Sequence, residues 1–132
     1  MKIGTGAVSW SSKLQTLVAL STTEAEYISA VEAGKEILWL CEFLGELGYE
    51  IPGPSVLWMD NQSAIAVSKN PEHHGKMKQK HLSLRLFWLR DVVEDKVILP
   101  KFVETRDMAA DIFTKALDRF KVQKCSRMLG LE

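Results

Sequence analysis

The stretch Val56-Leu57-Trp58-Met59-Asp60-Asn61-Gln62-Ser63-Ala64 is an apolar run that ends in a carboxylate and continues into helix-forming sequence. Pro52, Gly53 and Pro54 precede it, and the run is too short for a buried helix, so the pattern predicts a strand, then Asp60, then a helix. Asp60 is therefore expected at the carboxyl end of a buried strand, the end that borders the ligand-binding crevice in open α/β sheets. A structural role is the alternative, because aspartate is a good N-cap for a following helix.

Length and composition are those of a globular domain. The chain has 132 residues, 46% of them hydrophobic, so we predict a single domain over residues 1–132 with its own core. Seventeen Lys and Arg residues balance 17 Asp and Glu residues, so the net charge indicates no particular partner.

Cys41 and Cys125 have no metal-ligand spacing and suit reduced structural thiols. Neither a membrane span nor a signal peptide is visible, which predicts an intracellular protein, cytoplasmic or nuclear, without a membrane partner.

The segment before residue 50 predicts a hairpin and a long helix. Residues 7–10 and 16–20 are short β-prone runs joined by a polar loop, which is typical of a hairpin. A helix is expected from Ser21 to about Leu47, and Gly48 supplies its C-terminal stop.

One face of this helix is predicted to lie against the sheet. It comprises Glu26, Ala30, Ala33, Ile37, Leu40 and Leu44. Glu26 therefore heads an otherwise apolar stripe, where a carboxylate is costly unless it has a function. Both Ser21 with Glu24 and Thr23 with Glu26 have capping-box spacing. Of the two acids, Glu26 is the better candidate for chemistry and Glu24 the better capping residue.

Four further elements are expected after Asn70-Pro71 breaks the pattern. They are a helix over about 78–94, a strand over 96–103, a helix over 107–117 and a short tail helix over 120–129. Pro100 favours an edge position for the strand. Asp107 is a natural cap for the next helix, and Asp111 in its first turn would at the least interact favourably with the helix dipole.

Basic residues are concentrated between positions 69 and 90, where Glu72 is the only acidic residue. The candidates for contacts with nucleic acid are Lys69, Lys76, Lys78, Lys80, His81 and Arg85. A solvated helix face is the alternative interpretation. His73-His74 has no suitably spaced partner, so zinc is not predicted, and Phe87 and Trp88 are interpreted as packing residues.

Three carboxylates, Glu26, Asp60 and Asp111, are predicted near the ends of elements. If they converged they would repel one another unless divalent cations neutralised them, and sites made of oxygen ligands select Mg²⁺ or Mn²⁺. Two such ions about 3.5 to 4 Å apart activate a water and stabilise the leaving oxygen in phosphodiester cleavage. Spacing in the sequence does not itself bring the three together, and each could be structural.

Five blocks of sequence, in order, resemble the ribonuclease H domain of copia-type LTR retrotransposon Pol polyproteins. They are residues 7–13, residues 18–27, Asp60-Asn61-Gln62-Ser63-Ala64, Lys80-His81, and Ala110-Asp111-Ile112-Phe113-Thr114-Lys115. The resemblance implies an RNase H-like α/β fold, a mixed sheet flanked by helices, and cleavage of the RNA strand of RNA–DNA hybrids with Mg²⁺ or Mn²⁺. Glu26, Asp60 and Asp111 match three catalytic, metal-binding carboxylates of that family.

Two departures from the family matter. The family has another catalytic aspartate on a first strand before the Trp10 hairpin, whereas here Met1 to Gly6 precede the hairpin and the first acidic residue is Glu24. The resemblance therefore implies an N-terminally truncated domain that lacks the family's first strand. His81-Leu82-Ser83 also replaces the family's usual His-apolar-Asp.

The missing strand has consequences for activity and assembly. Loss of one carboxylate is expected to leave the chain weakly active or inactive alone. Loss of a central strand exposes sheet edges that favour strand exchange in a homodimer, a strand from a partner chain, or a rearranged sheet. Two alternatives stay open: an active ribonuclease H completed by a partner chain or homodimer, and a non-catalytic protein-interaction module that uses the exposed edge.

Overall fold

The computed structural model describes residues 1–16, 18–70 and 80–131, with the backbone alone for residues 80–83 and 86. The described residues form an α/β structure. Its elements are β1 (Lys2–Ile3), β2 (Gly6–Ala7), α1 (Thr22–Glu46), β3 (Ser55–Met59), α2 (Gln62–Lys69), α3 (Lys80–Glu94), β4 (Ile98–Phe102), two 3₁₀ helices (Thr105–Asp107 and Ala109–Phe113) and α4 (Arg119–Leu129). They divide into a larger unit, Ala19–Phe102, and a smaller unit made of Met1–Val18 and Val103–Glu132.

The larger unit is built on the parallel pair β3–β4, in which Leu57 lies opposite Pro100 and Trp58 opposite Lys101. The predicted strand, aspartate and helix around Asp60 are confirmed, as is the strand within 96–103. Leu57 and Pro100 are buried, whereas Trp58 and Lys101 are exposed on the opposite face. The strand before Asp60 was predicted to be buried, but it is buried on one face only: Leu57 and Met59 are buried, whereas Val56 and Trp58 are exposed.

The long helix is confirmed, but its buried face differs from the predicted stripe. Tyr27, Val31 and Gly34 lie at the centre of the face that packs on the unit's core, so the true face is rotated by about a quarter turn at roughly 100° per residue. Glu26 is consequently half-buried at the margin of this face rather than at its head. Tyr27 is fully buried, and burial raises the pKa of its hydroxyl well above the usual range, so Tyr27 is a neutral core residue.

The predicted hairpin over residues 7–20 is wrong. β2 ends at Ala7 and pairs antiparallel with β1, and the described residues from Val8 to Leu20 belong to no strand. The apolar side chains of this segment are exposed, Leu14 to 97%. A short β-prone run forms a strand only where a partner strand and an apolar surface stabilise it, and this segment has neither among the described residues.

In the smaller unit, α4 packs on the 3₁₀ helix Ala109–Phe113. The predicted helix over 107–117 is wrong, because two 3₁₀ helices occupy its first part, and Asp107 ends the first of them instead of capping an α-helix. α4 confirms the predicted tail helix, and its C-cap is Gly130, which has a φ of +69°. A Cβ atom there would also clash with the carbonyl oxygen of Thr5, so conformation and space both require glycine.

Within the described ranges, no helix combines the length and the apolar character that crossing a bilayer requires.

Candidate functional site

Asp60 lies directly after β3, at the edge of the sheet where both parallel strands have their carboxyl ends. The N-cap of α2 is the next residue, Asn61, whose Oδ1 accepts a hydrogen bond of 3.0 Å from the Ala64 N–H. The alternative role for Asp60, capping this helix, is therefore wrong. Asp60 is partly exposed at the sheet's carboxyl edge, in the position where α/β sheets hold ligand-binding groups.

Glu24 and Glu26 have different surroundings at the start of α1. Ser21 is the N-cap, and its Oγ accepts a 3.1 Å hydrogen bond from the Glu24 N–H. The Glu24 carboxylate is buried and accepts a 2.7 Å hydrogen bond from the Leu20 N–H, so it completes a variant of the capping box. The prediction that Glu24 is the capping residue is confirmed. Glu26 follows half a turn later in a half-buried position, on a helix that packs against β3 and α2.

Asp111 is a buried carboxylate of the smaller unit, with 4% of its surface exposed. Lys115 donates to its Oδ1 at 2.8 Å, and Lys121 donates to its Oδ2 at 3.0 Å. Burial alone would raise the pKa of Asp111, but hydrogen bonds and positive charge from the two lysines hold the pKa below its usual value. Asp111 is therefore an ionised carboxylate at pH 7, and both of its oxygens accept hydrogen bonds from ammonium groups.

Asp107 extends this charge cluster on the surface of the same unit. Its carboxylate accepts a hydrogen bond from Lys124 and lies 3.8 Å from Arg106 Nε. The hydrogen bond from Lys124 and the positive charges of Lys124 and Arg106 lower the pKa of Asp107. Basic residues of α4 thus stabilise both aspartates of the 3₁₀ segment.

The three predicted carboxylates differ in how well they suit a divalent cation. Carboxylate oxygens are the right ligands for Mg²⁺ or Mn²⁺, and Glu26 and Asp60 supply them from the larger unit. Asp111 in the smaller unit fits less well, since a cation would have to displace Lys115 and Lys121 from it. Within either unit, the described part of the chain contains no group of three or more His, Cys, Asp or Glu side chains placed to hold a metal ion.

The predicted nucleic-acid residues lie in different surroundings. Lys69 is exposed in the last turn of α2, and the Arg85 guanidinium lies 3.8 Å from Glu32 on α1, with a third of the side chain exposed. Lys80 and His81 begin α3, where the backbone alone is described, and Lys76 and Lys78 lie outside the described residues. Of this set, Lys69 is the residue that the structure places beside a groove.

That groove was missed by the sequence reasoning. It runs beside the carboxyl half of the β3–β4 pair, has a volume of about 440 Å³ and is lined by Trp58, Lys101, Phe102, Gln62 and Lys69 among others. Alternation along β3 is the signal that could have found it, because Leu57 and Met59 facing the core place Trp58 on the opposite face.

Together, the fold and these residues define an α/β chain with a carboxylate at the end of a parallel strand and a basic, aromatic groove beside it. Its homologues are retrovirus-related Pol polyproteins from copia-type transposons. The chain is 45% identical over 126 residues to the Pol polyprotein from transposon TNT 1-94 of Nicotiana tabacum. It is 38% and 36% identical over 129 residues to those from transposons RE2 and RE1 of Arabidopsis thaliana.

These matches cover 96% to 98% of this chain, which spans about 9% of the length of each relative. No family model matches the chain, and no solved structure matches it. The similarity supports a retrotransposon-derived domain.

Proposed function

We propose that the chain is a ribonuclease H-like domain whose ancestral reaction is hydrolysis of the RNA strand of RNA–DNA hybrids, and that it is weakly active or inactive alone. Asp60 carries the proposal: it lies at the carboxyl edge of the parallel pair, and Asn61 performs the capping role that would otherwise explain it. Similarity to segments of transposon Pol polyproteins over nearly the whole chain supports the same function.

In this proposal Glu26 and Asp60 of the larger unit would hold Mg²⁺ or Mn²⁺. Asp111 of the smaller unit, also assigned to the cation from the sequence, has both of its oxygens paired with Lys115 and Lys121. The bound cation supplies the activation of a water and the stabilisation of the leaving oxygen. The hybrid's phosphates are bound by Lys69, Lys76, Lys78, Lys80, His81 and Arg85, which orient the scissile bond. Activity of the chain alone is expected to be low, because both oxygens of Asp111 already accept hydrogen bonds from lysines.

Metal binding tests the assignment without relying on catalysis. Isothermal titration with Mn²⁺ is expected to show binding that Asp60→Asn and Glu26→Gln each weaken about tenfold or more. Asp95→Asn is the matched control, since Asp95 is an exposed aspartate of the same unit, and it is expected to bind like the wild type. Equal Mn²⁺ affinity in all four proteins would contradict the proposed site.

Hybrid cleavage tests the reaction itself. A labelled RNA–DNA hybrid is incubated with wild type, Asp60→Asn and Asp95→Asn in Mg²⁺ and in Mn²⁺. Any cleavage by the wild type is expected to be slow and to fall about 100-fold or more in Asp60→Asn, because a metal ligand is lost. Fast cleavage by the chain alone would favour the alternative of an active enzyme completed in a homodimer, and cleavage that survives Asp60→Asn would contradict the proposal.

A second candidate function is a protein-interaction module. β3 and β4 are hydrogen-bonded to each other and, within the described residues, to no third strand, so each presents an unpaired edge. A second copy or a partner chain could add a strand there. Light scattering across a range of concentrations tests the homodimer: a mass that doubles with concentration supports it, and a monomer at every concentration contradicts it.

A further inference from the structure

The groove beside β3 and β4 combines aromatic and basic side chains at one place. Trp58 is 55% exposed and Phe102 is 45% exposed at its wall. The Lys101 ammonium lies 5.9 Å from the centroid of the Trp58 ring, within the range of a cation–π contact. Because Trp58 and Lys101 lie opposite each other in the register of the two strands, the sheet itself fixes this arrangement.

Charge selects the kind of ligand. Lys69 and Lys101 line the groove, and the described residues that line it include no carboxylate, so an anionic partner is favoured. Exposed aromatic faces beside lysines bind a partner that alternates flat rings with negative charges. Nucleic acid has this chemistry, since its bases stack on aromatic side chains while its phosphates pair with the lysines.

The open shape of the groove and its exposed Trp58 ring favour single-stranded over double-stranded nucleic acid. It is open to solvent rather than enclosed, so it can admit part of a longer chain. Stacking on Trp58 requires a base face that is free of its own neighbour, and such faces are available in unpaired strands rather than inside a helix. We propose that the groove of Trp58, Lys69, Lys101 and Phe102 is a binding site for single-stranded nucleic acid. The site shares Lys69 with the residues proposed to bind the hybrid, but it needs no metal.

The test measures binding of a fluorescently labelled oligothymidylate by anisotropy in EDTA, so that cleavage plays no part. Trp58→Leu is expected to weaken binding about 5- to 150-fold, which corresponds to one base stack. Trp58→Phe keeps a ring and is expected to restore most of the affinity. Trp39→Leu is the matched control, because Trp39 is also 55% exposed but lies on α1 outside the groove, and it is expected to bind like the wild type.

Two further arms separate stacking from charge. An oligonucleotide of the same length without bases is expected to bind more weakly than oligothymidylate, and Trp58→Leu should not change its affinity. Lys101→Gln is expected to reduce the dependence of log K on log salt by about 0.7, the value for one phosphate contact with a single strand. Circular dichroism of each variant checks that the fold is intact.

The proposal is overturned if oligothymidylate does not bind, or if folded Trp58→Leu binds it like the wild type. It is also overturned if Trp58→Leu converts a dimer to a monomer without changing the affinity for the oligonucleotide, because the groove would then hold a second copy. These outcomes are independent of the proposed ribonuclease function, which is judged by Mn²⁺ binding and hybrid cleavage.

Discussion

Asn61 and Asp60 are neighbours in the turn between β3 and α2, and the Oδ1 of Asn61 accepts from a helix N–H. We therefore expect Asn61→Ala to reduce the free energy of unfolding by about 1 kcal/mol, the usual effect of losing an N-cap. Asp60→Asn should change it by less than about 0.5 kcal/mol, since Asp60 has no capping role. Urea unfolding of the two variants checks this, and a larger loss in Asp60→Asn would mean that Asp60 is structural.

Asp111 differs from Asp60 because two lysines, Lys115 and Lys121, donate hydrogen bonds to its carboxylate. In the folded protein the pKa of Asp111 lies below its usual value of 3.8. Ionised Asp111 therefore stabilises the native state at pH values above 3.8, and this stabilisation is lost as the pH falls through the folded pKa. Asp111→Asn is expected to cost about 1 to 3 kcal/mol at pH 7, because two charge-assisted hydrogen bonds are lost. The difference from wild type should shrink as the pH is lowered below 3.8.

Urea unfolding at pH 7 and at pH 3 measures this dependence. Asp107→Asn is the control, since Asp107 also pairs with a lysine of α4 but is far more exposed, and its effect should be smaller. An Asp111→Asn protein as stable as the wild type at pH 7 would show that the salt bridges contribute nothing.

At the scale of elements, α1 contains two glycines in contrasting positions. A Cβ on Gly34 would lie 3.2 Å from Ile98 Cδ1 and 3.3 Å from Leu89 Cδ1, whereas a Cβ on Gly45 would meet nothing within 4 Å. Gly34→Ala gains helix propensity but crowds two buried side chains, and crowding is the larger effect, so a net loss of about 1 kcal/mol is expected. Gly45→Ala gains helix propensity without crowding any side chain, so it should raise the free energy of unfolding by about 0.5 kcal/mol.

Thermal unfolding followed by circular dichroism compares the two variants. The contrast matters more than either value, because both changes add the same methyl group to the same helix. Stabilisation by Gly34→Ala would mean that α1 does not pack closely against α3 and β4 at this point.

The sequence predicted those elements whose signals are local. The run of Leu57 and Met59 into Asp60 predicted β3 and α2, and the Ser21 cap predicted where α1 begins. The hairpin over 7–20 could not be judged locally, because a β-prone run needs a partner strand that its own residues do not specify. The buried face of α1 was misplaced for a similar reason: Tyr27 and Gly34 are buried by what packs on them, not by their hydrophobicity alone.

In the candidate site too, some features could be predicted from the local sequence and others could not. Asp60 could be placed from sequence, since a strand end is a local feature. The partners of Asp111 could not, because Lys121 lies ten residues away on another helix. The pairing of Trp58 with Lys101 depends on the register of β3 with β4, and the residues of either strand alone do not fix it.

At the scale of the whole molecule, charge is balanced overall but unevenly distributed. The smaller unit carries eight Lys and Arg residues and five Asp and Glu residues, whereas the larger unit carries nine and twelve. A protein without net charge attracts nucleic acid weakly at long range, so binding has to come from a few local phosphate contacts. The salt dependence of binding therefore counts those contacts.

For an RNA–DNA hybrid, we expect log K to fall with log salt with a slope of about −2 to −5, because each phosphate contact contributes about −0.9 and at most six basic residues are assigned. Lys76→Gln with Lys78→Gln should reduce the slope by about 2, and Lys13→Gln with Lys35→Gln should leave it unchanged, since those lysines lie outside the assigned set. Anisotropy titrations between about 50 and 200 mM salt in EDTA provide the measurement. A slope near zero would mean that hybrids are not bound through phosphates, whereas an equal reduction in both double variants would mean that total charge, not the assigned residues, governs binding.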